Sequence, residues 1–194
     1  MRIIAGTYRS RRLEAPPGLS TRPTSDRLRE TLFNILASRI GEASFLDLYA
    51  GSGAVGLEAL SRGAASVTFV ERAPAALTAL RRNLAQLRIA EGFEVHAEAV
   101  AAFLRTAAKS GPKPERYEVV FLDPPYDAAS EYAVTLALLG GQAQRILAPG
   151  ALAIAEHRRK QGIDERYGVL TRTRLLEQGD AALSFYAVDS SACP

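Results

Sequence analysis

The sequence predicts an α/β fold built on a mostly parallel, doubly wound sheet. Three observations predict it. From residue 44 onward, short apolar runs alternate with stretches of helical periodicity. A glycine-rich turn, Gly51-Ser52-Gly53-Ala54-Val55-Gly56, follows the first of those runs. The chain then closes on two strand-like runs around Gly179–Asp180, which read as an antiparallel hairpin. Parallel strands need long crossovers, and helices between strands supply them.

The elements follow in order. Residues 1–15 read as two short strands around Gly6–Tyr8, a small hairpin extension. Residues 16–23, PPGLSTRP, are a turn-rich linker. Thr24 or Ser25 is placed to cap a helix reaching about Ser38, with Leu28, Leu32, Phe33, Ile35 and Leu36 on one side. Strands are expected at Ser44–Tyr49, Ser66–Glu71, Phe93–Ala97, Glu118–Leu122 and Ala151–Glu156. Helices are expected at Val55–Arg62, Pro74–Leu87, Val100–Lys109 and Ala129–Arg145, with a turn at Pro149–Gly150. Gly168–Leu176 and Ala181–Val188 form the closing hairpin. The domain plan is a basic extension and linker (1–23), a main domain (24–189) and a short tail (190–194).

The composition sets the class. Of the 194 residues 47% are hydrophobic and 23% charged, enough for a substantial core. No apolar run of about 18 residues is present, so no membrane span is expected. The first residues lack the apolar stretch of a signal peptide. The single cysteine, Cys193, precludes an internal disulfide. These features point to the cytoplasm. Two distant histidines, His96 and His157, argue against a His/Cys metal site, and no metal is expected. The charge is uneven. Residues 1–40 carry eight arginines against Glu14, Asp26 and Glu30, a net +5, while the remainder, with 16 basic and 18 acidic residues, carries −2. Such a front suits a polyanion, although a solvated arginine face reads the same from charge alone.

Two motifs carry the chemistry. Gly51, Gly53 and Gly56 match G-x-G-x-x-G, a turn that lets a nucleotide approach the backbone. Glu71, at the end of the second strand, suits the ribose hydroxyls of either NAD or S-adenosylmethionine. Asp47, four residues before Gly51, favours the second. An acid beside pyrophosphate is unfavourable, whereas a sulfonium and an ammonium welcome it. The second motif is Asp123-Pro124-Pro125-Tyr126, directly after the fourth strand. A base amine is a poor nucleophile because its lone pair is conjugated with the ring. The Asp123 carboxylate and the Pro124 carbonyl offer two acceptors that draw its hydrogens out of the ring plane. The prolines fix φ and hold the carbonyl. Tyr126 offers a flat face for a flipped base. As a rigid turn alone, the four residues would carry no chemistry.

In these and the following motifs the chain resembles a known family. RIIAG and RSRRL at the front, LSTRPTSDRLRETLFNIL, DLYAGSGAVGLEALSRGA and FLDPPY are similar to the bacterial 16S ribosomal RNA guanine-N2 methyltransferases of the RsmD type. The resemblance runs from Arg2 to about residue 186. It implies a Rossmann-like methyltransferase fold, S-adenosylmethionine as cofactor, and methylation of one guanine, position 966 in the family's name. The expected partner is 16S rRNA in a small-subunit assembly particle, and the enzyme is expected to act as a monomer. Asp47, Ala50, Gly51, Ser52, Gly53, Glu71 and Arg72 are the implied cofactor contacts, and Asp123–Tyr126 would hold the guanine. Relatives place an Asp or Asn after the third strand for the adenine amine. Here Ala99 stands there, with Glu98 before it. Either Glu98 substitutes through a shifted backbone or main-chain groups hold the adenine. Arg9, Arg11, Arg12, Arg22, Arg27 and Arg29 are the candidate RNA contacts. Two other readings stand beside this one: a DNA adenine-N6 or cytosine-N4 methyltransferase, and a non-catalytic RNA-binding assembly factor.

Overall fold

The computed structural model describes residues 1–16, 25–109, 116–125 and 128–189, in two compact units, Met1–Glu98 and Ala99–Pro194. The first unit holds α1 (Asp26–Ile35), β1 (Ser44–Leu48), α2 (Ala54–Ser61), β2 (Ser66–Val70), α3 (Pro74–Leu87) and β3 (Phe93–His96). Its strands are parallel in the order β3-β2-β1, with Ser44 opposite Ser66 and Val67 opposite Phe93. Phe45, Leu46, Leu48, Val67, Phe69 and Val70 are all fully buried. That near-continuous apolar pattern is what a strand covered on both faces requires. Ser25 caps α1 by accepting from the Leu28 amide at 3.1 Å, and Leu28, Leu32 and Phe33 turn inward. Phe33 stacks on Phe45 with ring centroids 6.4 Å apart.

The N-terminal hairpin forms with less strand than expected. A single antiparallel bridge, Arg2–Arg12, closes it, supported by Ile3 N–H to the Arg11 carbonyl (2.9 Å) and Leu13 N–H to the Met1 carbonyl (3.0 Å). Left-handed φ at Gly6 (82°) and Ser10 (65°) interrupts the extended backbone that longer strands need. The hairpin is bolted to α2 instead. The fully buried Glu58 carboxylate accepts from the Ile4 and Ala5 amides at 2.7 and 3.0 Å. Thr7 N–H reaches the Ser61 carbonyl at 2.8 Å. A Cβ on Gly6 would collide with the Ser61 backbone.

The second unit holds α4 (Val100–Ala107), β4 (Tyr117–Leu122), α5 (Ala129–Gly141), α6 (Ala143–Ile146), β5 (Leu147–Arg158), β6 (Arg166–Tyr167), β7 (Leu170–Gln178) and β8 (Ala181–Val188). Its strand order is β4-β5-β8-β7-β6, parallel between β4 and β5 and antiparallel beyond. The fold class is therefore α/β with a mostly parallel sheet that ends in antiparallel strands, the Rossmann-like methyltransferase arrangement. Two local expectations are corrected. The helix expected over 129–145 is two helices, α5 ending at Gly141 and α6 starting at Ala143, with two successive glycines, poor helix formers, at the break. Pro149–Gly150 is not a turn before β5. It lies within the strand as a bulge, where pairing jumps from Tyr117–Leu147 to Val119–Leu152. No helix among the described residues is long and apolar enough to cross a membrane.

Candidate active site

In the first unit, β1 delivers the chain into Tyr49-Ala50-Gly51-Ser52-Gly53. Tyr49 (φ 61°), Gly51 (58°) and Gly53 (80°) all take left-handed backbone. For Tyr49 that conformation costs about 1 kcal/mol, a strain the surrounding hydrogen bonds must hold. The glycines serve different ends. A Cβ on Gly51 would meet nothing closer than the Tyr49 carbonyl at 4.0 Å, so this residue leaves open approach to the backbone. One on Gly53 would collide with Leu80 of α3, and one on Gly56 with Phe69 of β2. These two close the packing of helix on sheet.

Both acids predicted from the sequence hold this turn. Asp47 is 2% exposed and accepts from the Gly56 amide at 2.8 Å. Burial pushes its carboxyl up to about 7, the Gly56 N–H opposes the rise, and the nearby Glu71 charge adds to it. Glu71 accepts from Gly51 N–H at 2.9 Å through one oxygen, and from Arg72 and Ala73 N–H, both at 2.8 Å, through the other. One lone-pair site remains on that carboxylate, on the oxygen that meets Gly51, for a ribose hydroxyl. The buried Ala50 amide bonds the Val70 carbonyl at 3.1 Å, the Ser52 side chain is buried, and Arg72 is exposed. This donor set fits S-adenosylmethionine. A cation placed here relieves the mutual repulsion of two carboxylates, whereas pyrophosphate would sharpen it.

The other predicted cofactor residues are more loosely tied. Glu98 is 39% exposed and lies 3.6 Å from His96 Nδ1. Ala99 is the exposed residue before α4, and its carbonyl accepts from Ala102 and Phe103 N–H at 2.9 and 3.0 Å.

In the second unit, β4 is buried almost throughout and runs straight into Asp123, which is half-buried, then buried Pro124 and exposed Pro125. The Pro124 carbonyl lies 3.5 Å from the hydroxyl of buried Tyr132, whose closer acceptor is the Glu156 carbonyl at 2.9 Å. Pro125 accepts from Ala128 N–H at 2.8 Å. Tyr126 lies outside the described residues, as does Arg22.

Of the candidate RNA contacts, Arg9, Arg11, Arg12 and Arg27 are exposed. Arg29 is a correction. It is 0% exposed, bonds the Asp26 carboxylate at 2.9 Å and the Arg2 carbonyl, and lies 3.8 Å from the Glu58 carboxylate. Its guanidinium pins the hairpin to the domain and has no path to a phosphate. Sequence reading missed Glu58, Asn83 and Tyr132. Each is a buried polar side chain whose partners lie far along the chain, and no local pattern marks them.

The match to known proteins covers nearly the whole chain. The family model described as "Conserved hypothetical protein 95" matches residues 1–187. Ribosomal RNA small subunit methyltransferase D of Haemophilus influenzae is 41% identical over 70% of this chain and 69% of its own length. The Escherichia coli protein of the same name is 47% identical over 65% of this chain, a stretch that spans 60% of that protein. The solved structure of yhhF from Escherichia coli, 35% identical, covers 98% of both chains with a TM-score of 0.82. On these grounds the chain belongs to the family of the small-subunit ribosomal RNA methyltransferase D proteins, whose model carries the description conserved hypothetical protein 95.

Proposed function

We propose that this chain is an S-adenosylmethionine-dependent methyltransferase acting on the exocyclic N2 amine of a guanine in 16S rRNA. The observation that carries the proposal is the passage of a buried strand directly into Asp123-Pro124-Pro125, with the Pro124 carbonyl beside a buried phenol, in a chain of this family. When bound, the cofactor supplies an electrophilic methyl group on a sulfonium. Everything else is done by the chain's own residues. Asp47 and Glu71 provide the negative field for the cation, and the open side of Gly51 admits it. Asp123 and the Pro124 carbonyl each accept a hydrogen from the guanine amine, turning its lone pair toward the methyl group. Tyr126 stacks on the flipped base. Orientation carries much of the rate. Proton loss follows methyl transfer, so Asp123 orients the amine and need not act as a strict base.

The guanine at position 966 and an assembly particle as substrate follow from the resemblance, with the protein acting as a monomer. Arg9, Arg11, Arg12 and Arg27 engage RNA phosphates. Adenine is held by main-chain groups or by Glu98, since Ala99 offers no polar side chain. Digesting rRNA and genomic DNA from cells lacking this protein and identifying the nucleosides by mass tests the assignment. One missing N2-methylguanosine is expected. A missing N6-methyladenine or N4-methylcytosine in DNA would overturn it in favour of a DNA enzyme, and no change in either would favour a non-catalytic assembly factor. Neutralising Arg9, Arg11 and Arg12 together is expected to flatten the dependence of log affinity on log salt by about 2 for RNA. An unchanged slope removes the hairpin from the interface.

A further inference from the structure

We infer that Asn83 couples the cofactor turn to the N-terminal hairpin, so that RNA held by the hairpin and cofactor held by the turn each tighten the binding of the other. The inference rests on the reading of the hairpin as an RNA-contacting element, and it names how that element regulates the cofactor site.

Asn83 sits in α3 and is 0% exposed. Its Oδ1 accepts from the Glu14 amide at 2.7 Å, and its Nδ2 donates to the Glu14 carbonyl at 3.1 Å and to the Ser52 carbonyl at 2.9 Å. One amide group thus grips both backbone groups of Glu14 and, with its second hydrogen, the centre of the cofactor turn. The orientation is fixed by the partners. A flipped amide would face a donor with donors at Glu14 and lose the bond to Ser52. Glu14 is only two residues from Arg12, and the bridge to Arg2 makes the hairpin one piece with its exposed arginines. Gln86 and Arg82 add outer ties from the same helix, to the Arg12 carbonyl at 3.3 Å and the Glu14 carboxylate at 3.5 Å.

The physical content is shared ordering. The first arm of the hairpin is seated on α2, whereas the second arm is tied to α3 through Asn83 and Gln86. RNA gripped by Arg11 and Arg12 damps the motion left in that second arm and so steadies Glu14, the Asn83 amide and the Ser52 carbonyl between Gly51 and Gly53. A cofactor then meets a turn already ordered and binds with less entropic cost. Linkage makes the effect reciprocal, and such couplings typically amount to about 5- to 150-fold. Asn83 is a positioning residue here, since it acts through Ser52.

The test measures the dissociation constant of S-adenosylhomocysteine with and without saturating unmethylated small ribosomal particles, and the particle affinity with and without S-adenosylhomocysteine. The native protein is expected to show the same factor, at least fivefold, in both directions. Two variants act on the link from opposite sides. Asn83→Ala removes the amide, whereas Glu14→Pro removes the N–H that Oδ1 accepts and the carboxylate that Arg82 meets, with the Nδ2 bond to the residue-14 carbonyl left in place. Asn83→Ala is expected to bring the factor to near one and Glu14→Pro to lower it at least twofold, while each ligand still binds. A purely structural Asn83 would weaken each ligand without changing their ratio. If Asn83→Ala does not fold, Glu14→Pro decides. An undiminished factor in the folded variants, or a native factor of one with particles bound, overturns the inference alone. A native protein that does not bind the particles overturns the RNA reading and this inference with it.

Discussion

After β1 the chain is held by side chains that reach in from elsewhere: Asp47 on Gly56, Glu71 on Gly51, Asn83 on Ser52. After β4 it is held by its own covalent structure, two successive prolines, with the Tyr132 hydroxyl 3.5 Å from the first carbonyl. The first turn is made of glycines and has little rigidity of its own, so it borrows it from three polar side chains. The second carries rigidity of its own, because the φ angles of Pro124 and Pro125 are fixed before folding. The difference teaches where substitutions should hurt. In the first turn, damage is distributed and is felt as cofactor affinity and stability. In the second, it concentrates on the acceptor that meets the base.

The largest effect sharpens the second half of that contrast. Asp123→Ala is expected to lower methyl transfer by about 10³-fold or more, at least about 4 kcal/mol of transition-state stabilisation. Cofactor affinity, measured by calorimetry, should stay within a few-fold. A comparable loss of cofactor binding would break the division of labour between the two turns.

Asp47→Asn tests the first half. A carboxyl raised from 3.8 to about 7 in the folded state binds its proton more tightly there than in the unfolded chain. Its burial therefore costs stability progressively as pH rises from about 4 to 7, and fully above 7. Removing the charge should stabilise the cofactor-free protein above pH 7 by up to about 4 kcal/mol, with the advantage gone near pH 4. The native protein should bind cofactor more tightly as pH rises through 7, because the cation favours ionised Asp47. The variant should bind weakly at every pH. Denaturant melts and titrations at pH 5 and 8 read both signs.

The two glycines of the turn should separate. Gly53→Ala combines left-handed strain with a collision against Leu80 and is expected to cost about 2–4 kcal/mol of stability. Gly51→Ala meets only strain, about 1–2 kcal/mol, yet should weaken the cofactor more, because its side is the open one. Equal effects of the two on stability would contradict the packing. The smallest effect belongs to Tyr132→Phe. It leaves the buried Glu156 carbonyl without that donor, at about 1 kcal/mol in a thermal melt, and should slow turnover less than tenfold. A collapse in turnover would mean that the prolines alone do not hold the carbonyl.

The strand and helix alternation was legible because it rests on local periodicity, and helix α3 runs over the same residues the pattern predicts, from its proline start. The glycine turn and the DPPY run were legible because each is contiguous. What lay hidden was non-local. Asn83 finds Glu14 69 residues away, and Glu58 finds Ile4 54 residues away. Arg29 was misread because sequence shows charge and not burial, and its partner Glu58 is invisible from the helix that carries it. Pro149–Gly150 was misread because a bulge uses the same residue types as a turn.

The hairpin's seat on α2 leaves no tolerance at Gly6, where any side chain would strike the Ser61 backbone. A genetic selection for lost substrate recognition should therefore return an uncharged position among the arginines. Its carriers would keep every cation, and fail by geometry alone.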